Sequence, residues 1–190
     1  RFPAKYQQAI YLLDWTFGTI YAVHMTPKGA SYVGVKEEFV SGSPLAVTDT
    51  VIGADGAFYF TVGGRGSQSA LYRVYYAGEE STAKTSREES SDTIEARALR
   101  RRLEAFHGKT DLGAVKTAWP YLGDADRFIR FAARIAVESQ PVNGWKRRAL
   151  KETNPQAAAV ALIALSRQGD AALQDDILEA LGRFDLAAVG

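Results

Sequence analysis

A change of character near residue 85 constrains this chain more than any motif in it. Residues 1–85 hold 14 of the 21 aromatics and 10 of the 17 glycines, and the residues after them are rich in alanine and arginine. Aromatic and β-branched side chains punctuated by glycine favour strands and tight turns, whereas alanine and arginine favour helix. The stretch Ala77–Ser91, AGEESTAKTSREESS, is small, polar and charged, without an aromatic. It reads as a linker. The expected organisation is strands over 1–78, a linker over 79–92 and helices over 93–190.

Composition then excludes several chemistries. There is no cysteine, so disulfides, thiolate zinc sites, iron–sulfur clusters and covalent c-type haem are excluded within this chain. Two histidines are too few for a His-rich metal cage. A net charge of +1 argues against bulk electrostatic binding of nucleic acid. No apolar run approaches the length of about 18 residues that a membrane span needs, and no signal peptide is visible. The sequence opens on Arg1 rather than Met, so it reads as an excerpt or a processed product. With 46% hydrophobic and 24% charged residues, 190 residues suffice for a core without cross-links.

The first half divides into strand-like runs at Ala9–Asp14, Thr19–Met25, Ser31–Val40, Leu45–Ile52, Ala57–Val62 and Leu71–Tyr76. Pro27–Lys28–Gly29 and Asp55–Gly56 are turn signals between them. Asp-Gly between strand-like runs favours a hairpin, because the central positions must tolerate positive φ. An antiparallel meander is expected. AIYLLDWTFGTIYAVHMTPKG and AFYFTVGGRGSQSALYRVYYAGE also share one plan, an aromatic strand, a loop with glycine and a second strand. Their starts, Ala9 and Ala57, lie 48 residues apart. That is about the repeat length of propeller blades, and two blades cannot close a ring.

The second half reads as helix pairs. Glu95–His107 carries Ala96, Leu99, Leu103 and Phe106 on one stripe and stops at Gly108. Asp111–Gly123 is disturbed by Pro120. Asp126 opens a run with Phe128, Phe131, Ala132 and Ile135 at helical spacing. Trp145–Lys151 is a short helix, Asn154–Pro155 caps and opens the next, and AALQDDILEALGRF forms the last. The starts at Asp126 and Asn154 lie roughly 28–30 residues apart, as in a stack of short HEAT-like helix pairs.

The stretch from Leu13 to Val74 resembles the final propeller blades of membrane-bound dehydrogenase-like (haem-binding-type) proteins of planctomycete and verrucomicrobial bacteria. The pieces that carry the resemblance are Asp14–Trp15 with Gly18–Thr19–Ile20–Tyr21, Thr48–Asp49, Asp55–Gly56, Tyr59–Phe60 and Gly63–Gly64–Arg65–Gly66. The resemblance implies an α+β chain in two parts. An antiparallel meander of β-propeller blades, an incomplete ring of the glucose/sorbosone dehydrogenase type, precedes an α-solenoid of HEAT-like repeats. It implies haem c on a separate domain, with quinone or calcium as candidates at the propeller, and no cofactor in this chain itself. It implies a periplasmic or extracellular location, and as partner the rest of a larger polypeptide or another protein. The CxxCH haem motif is missing here. The expected role is therefore a ligand-rim and partner-binding segment of a dehydrogenase-like oxidoreductase, with a protein interaction scaffold of no redox role as the alternative.

The candidate ligand-binding residues are Asp14, Trp15, Asp49 and Arg65. Strand ends of a propeller face its channel or rim, and two carboxylates there could contribute to a cation site, although a calcium site needs six to eight oxygens. The alternative is that each aspartate satisfies loop N–H groups, and that Gly63–Gly66 is a tight loop rather than an anion cradle. His24 and His107 could serve as base or ligand, and a helix-end position for His107 favours a dipole role. Arg127, Arg130 and Arg134, with Lys146, Arg147, Arg148 and Lys151, are candidates for binding an acidic partner. The alternative is a solvated face with i,i+4 pairs Asp126–Arg130 and Arg134–Glu138. Trp119, Tyr121 and Trp145 are expected in the core.

Overall fold

The structure, a computed structural model, describes residues 1–64 and 66–185. It divides into two units. One comprises Arg1–Pro27 and Tyr32–Glu89, and the other comprises Lys28–Ser31 and the residues from Ser90 onward.

The first unit begins with a single helical turn, α1 (Ala4–Gln7). Six strands follow: β1 (Ala9–Asp14), β2 (Thr19–Lys28), β3 (Ser31–Ser41), β4 (Val47–Ile52), β5 (Phe58–Gly64) and β6 (Ser67–Val74). They form two three-stranded antiparallel sheets in the orders β1-β2-β3 and β4-β5-β6. Ala9 stands opposite His24 and Asp14 opposite Thr19, and in the second sheet Ile52 stands opposite Phe58. Alternation along β5 buries Phe58, Phe60 and Val62 and turns Tyr59 and Thr61 outward. These residues join Phe2, Ile20 and Val47 in one core, with Tyr11 and Phe39 packed against it. Tyr11, Phe39 and Phe58 meet mutually at ring-centroid distances of 4.7 to 5.2 Å, in edge-on or tilted geometry.

These sheets are not propeller blades. A blade is a four-stranded sheet repeated about an axis, whereas each sheet here has three strands and the described residues form no ring. The two copies of the internal echo also occupy unequal places. The first supplies β1 and β2, the opening strands of one sheet, and the second supplies β5 and β6, the closing strands of the other. Spacing of aromatics and glycine therefore reported two similar hairpins, not one repeated blade. The Asp55–Gly56 turn does lie between β4 and β5, with Gly56 at φ +79°. Residues 75–90 form neither helix nor strand. They are tied to the strand unit through Gln7, whose Nε2 donates to Ala83 O at 2.8 Å and whose Oε1 accepts from Thr85 N–H at 3.2 Å.

The second unit contains α2 (Ser91–Glu104), α3 (Ala114–Ala118), α4 (Arg127–Glu138), α5 (Lys146–Lys151), α6 (Pro155–Gln168) and α7 (Gln174–Leu181). Pro120 ends α3 early, and a 3₁₀ turn, Trp119–Tyr121, takes its place. The helices share one core, in which Trp145, Leu103, Leu122, Leu162 and Leu165 are the largest fully buried side chains. The expected solenoid is not shown. Partners of five and six residues, α3 and α5, are too short to form equal helix pairs with α4 and α6, and buried residues from α2 to α7 belong to a common cluster.

The turn Lys28–Ser31 joins this unit. Ala30 is fully buried in the helical core, and its N–H donates to Asp126 Oδ2 at 2.6 Å. Asp126 is the N-cap of α4, accepting from Phe128 N–H through Oδ1 at 2.8 Å. Gly29 holds φ +52° beside that carboxylate, and a Cβ there would strike Asp126 Oδ2.

Candidate functional site

The local sequence of α6 and α7 builds a groove. Asn154 caps α6 by accepting from Ala157 N–H at 3.0 Å, and Pro155 occupies the first turn, where its missing N–H costs nothing. Gly169 closes the helix with its N–H on Leu165 O at 2.7 Å. Asp170 caps the 3₁₀ turn Ala171–Leu173, accepting from Ala172 N–H at 2.7 Å, and this turn leads into α7. Between the helices lie two hollows. One of about 460 Å³ is lined by Ser166, Asp170, Gln174, Ile177 and Leu178, and one of about 280 Å³ by Ala159, Leu162, Ile163, Ser166, Ile177 and Leu181. They adjoin at Ser166 and Ile177, the first of mixed lining and the second largely apolar. Ile163 is 47% exposed and Leu178 57%.

One carboxylate, Asp170, lines this groove and is in no ion pair among the described residues, whereas Glu179 on α7 lines a separate hollow with Lys151 and Arg183. Arg167 on α6 shares its carboxylate with a second guanidinium. Its Nε lies 3.3 Å from Glu138 Oε1, a carboxylate whose side chain is only 6% exposed and which Arg134 also approaches at 3.2 Å.

The residues singled out in the sequence are scattered. Asp14 Oδ1 accepts from Thr16 and Phe17 N–H, both at 3.0 Å, and so closes the turn after β1. Asp49 Oδ1 accepts from Thr50 N–H at 2.7 Å, at an irregularity in the β4–β5 register. The two carboxylates serve separate places, a turn after β1 and the irregular start of β4. Trp15 is 40% exposed and donates from Nε1 to Gly63 O at 3.3 Å, beside a hollow of about 200 Å³ that contains Phe17 and Pro44. Arg65 lies outside the described residues. His107 Nε2 is 2.8 Å from Ala132 O, a partner that can only accept, so this nitrogen carries the proton.

Of the basic stripe, Arg130 reaches back to Asp124 O and Ala125 O at 2.5 and 3.1 Å. Arg134 pairs with Glu138 as expected. Asp126 does not pair with Arg130, because its two oxygens hold the α4 cap and Ala30. Arg127 stacks on Phe128, while Lys146 and Arg147, on α5, form no ion pair among the described residues. Arg148 lies over the buried Trp119 ring at 4.4 Å.

A polar cluster on the strand unit was not legible, because α1 itself was not. Lys5 Nζ lies 2.7 Å from Glu37 Oε2, and His24 Nε2 lies 3.2 Å from Glu37 Oε1, off the line of a well-directed hydrogen bond. His24 Nδ1 is 3.0 Å from Lys5 O and must donate to it. The Lys5 ammonium, then the Tyr6 hydroxyl, hold the Glu37 carboxyl down at about 2. The same carboxylate, with burial, pushes Tyr6 up. The second sheet carries a similar clamp. Asp55 Oδ2 accepts from Tyr59 Oη at 2.9 Å and from Arg73 Nη2 at 2.9 Å. Ala57 N–H, then Arg73 and Tyr59, lower Asp55 to about 2. Each cluster ties neighbouring elements of the unit together.

Among the described residues, no group of three or more His, Cys, Asp or Glu stands close enough to hold a metal ion. No described helix is long and apolar enough to cross a membrane. Comparison with family models, with curated proteins and with solved structures finds no match to this chain.

Proposed function

We propose that the chain is a partner-binding scaffold and that the α6–α7 groove is its docking surface. The observation that carries this reading is a groove between two helices with exposed Ile163 and Leu178 and with one carboxylate, Asp170, in its lining. Such a groove suits an amphipathic helix laid into it by its apolar stripe. Asp170 in the lining favours a Lys or Arg beside that stripe. Covering the exposed halves of Ile163 and Leu178 contributes about 1 kcal/mol each, since full burial of such a side chain is worth about 1.5–3 kcal/mol. The two together are worth more than a tenfold change in affinity, which corresponds to about 1.4 kcal/mol.

The test uses two synthetic helical peptides with the same leucine stripe, one flanked by lysine and one by glutamate, followed by fluorescence anisotropy. The lysine peptide should bind about threefold tighter, Asp170→Asn should remove that difference, and the double substitution Ile163→Ser with Leu178→Ser should weaken both peptides at least about tenfold. Equal binding of both peptides, or a variant that binds like its parent, overturns the reading.

A second reading rests on the strand half alone. There the residues from Asp14 to Gly66 support a place in a larger exported, dehydrogenase-like polypeptide. Redox turnover by a longer polypeptide carrying this chain, lost when the chain is deleted, is its test.

A further inference from the structure

Between α1, β1 and the β4–β5 turn, the strand unit holds a cavity of about 420 Å³. This is within the usual range of small-molecule sites, roughly 300–1,000 Å³. Its walls are aromatic and aliphatic: Phe2, Tyr6, Tyr11 and Ile52. Its charged lining is cationic, Arg1 and Lys84, and neither residue is in an ion pair among the described residues.

The polar groups are held in place. The Gln7 carboxamide is fixed by Phe2 O at 2.9 Å, Ala83 O at 2.8 Å and Thr85 N–H at 3.2 Å, which brings the segment carrying Lys84 to the cavity. Arg1 is seated against the β4–β5 turn. A Cβ on Gly56 would lie 2.5 Å from Arg1 N and 2.8 Å from its Cγ, so only glycine allows this approach. Tyr11 is fixed by donating to Tyr6 O at 3.2 Å, and burial pushes its hydroxyl up to about 12, so it stays protonated and uncharged.

We infer that this cavity binds a small aromatic carboxylate, with the ring against Phe2, Tyr6 and Tyr11 and the carboxylate between Arg1 and Lys84. Aromatic walls favour a flat apolar body by edge-on and stacked contact. Two cations in the lining, with no carboxylate beside them among the described residues, favour an anion over a neutral or cationic ligand of equal shape.

The experiment is calorimetric titration of the full chain with 2-naphthoate, with 2-naphthalenemethanol and 2-naphthylmethylamine as the neutral and cationic counterparts. Naphthoate should bind at least about fivefold tighter than the alcohol, and the amine should show no binding at about 1 mM. Lys84→Gln, at an exposed residue in no ion pair among the described residues, should weaken naphthoate about fivefold and leave the alcohol unchanged. Ile52→Glu, on the exposed edge strand, should weaken naphthoate further by placing a carboxylate in the wall. Naphthoate binding no tighter than the alcohol, no naphthoate binding at about 1 mM, or binding unmoved by both substitutions overturns the inference.

Discussion

Replacing Gly29 by alanine should destabilise the helical unit far more than a surface turn substitution normally would. Two separate costs arise. A side chain at φ +52° is strained by roughly 1–2 kcal/mol. The new Cβ also meets Asp126 Oδ2, the acceptor of the buried Ala30 N–H and part of the carboxylate that caps α4. Losing a cap costs about 1 kcal/mol, and a buried N–H left without a partner costs about 1–3 kcal/mol. Partial relaxation of Asp126 recovers some of this, so Gly29→Ala should cost about 2–4 kcal/mol. For a unit of this size that is a fall in melting temperature on the order of 10–20 °C. The assay is urea and thermal unfolding followed by circular dichroism at 222 nm, where the helices dominate. In an Asp126→Ala background the collision is gone, and the same glycine substitution should cost only the backbone strain, about 1–2 kcal/mol. Equal costs in the two backgrounds, or an unchanged midpoint for Gly29→Ala, would refute the coupling of this turn to the α4 cap.

Two further outcomes follow from single contacts. Trp119→Phe removes the 2.7 Å bond from Trp119 Nε1 to Glu152 Oε2 and should cost about 2 kcal/mol in urea unfolding. Burial alone would push the Glu152 carboxyl up, and the bonds from Trp119, Asn154 N–H and Thr153 N–H hold it below its usual range, so the variant's Glu152 should titrate higher by carboxyl NMR. Glu37 is held at about 2 when folded against an ordinary value of 4.5, so its stabilising contribution is complete above about pH 4.5 and is lost as pH falls towards 2. The gap in melting temperature between the parent and Glu37→Gln, measured at pH 6, should close across that window, and a gap constant from pH 6 to pH 2 would show that Glu37 is not held by Lys5 and Tyr6.

Local chemistry was legible where a residue acts on its own neighbours. The β1 run Ala9–Asp14, the Asp55–Gly56 turn and the caps Asp126 and Asn154 stand where residue type and spacing put them. What spacing did not carry is which elements share a core. The hairpins β1–β2 and β5–β6 look alike in sequence, yet each finds a different third strand, β3 or β4, so the similarity implied blades that do not exist. The α6–α7 groove depends on which apolar residues the fold leaves uncovered, and Ile163 and Leu178 carry no local mark of it. The cavity was hidden for another reason. It needs α1, a four-residue turn too short for periodicity to reveal, and a segment some eighty residues away held to it by Gln7.

The burial of Ala30 has a consequence for how such a chain can be inherited. A boundary drawn near residue 90 separates strands from helices on paper, but the helical core then lacks a residue that lies sixty positions upstream. Recombination that carried off the helices as one continuous stretch of gene would deliver a core with a hole in it and a cap with a missing donor. A transplant of the helical unit therefore has to carry the residues of the Lys28–Ser31 turn as well as those from Ser90 onward.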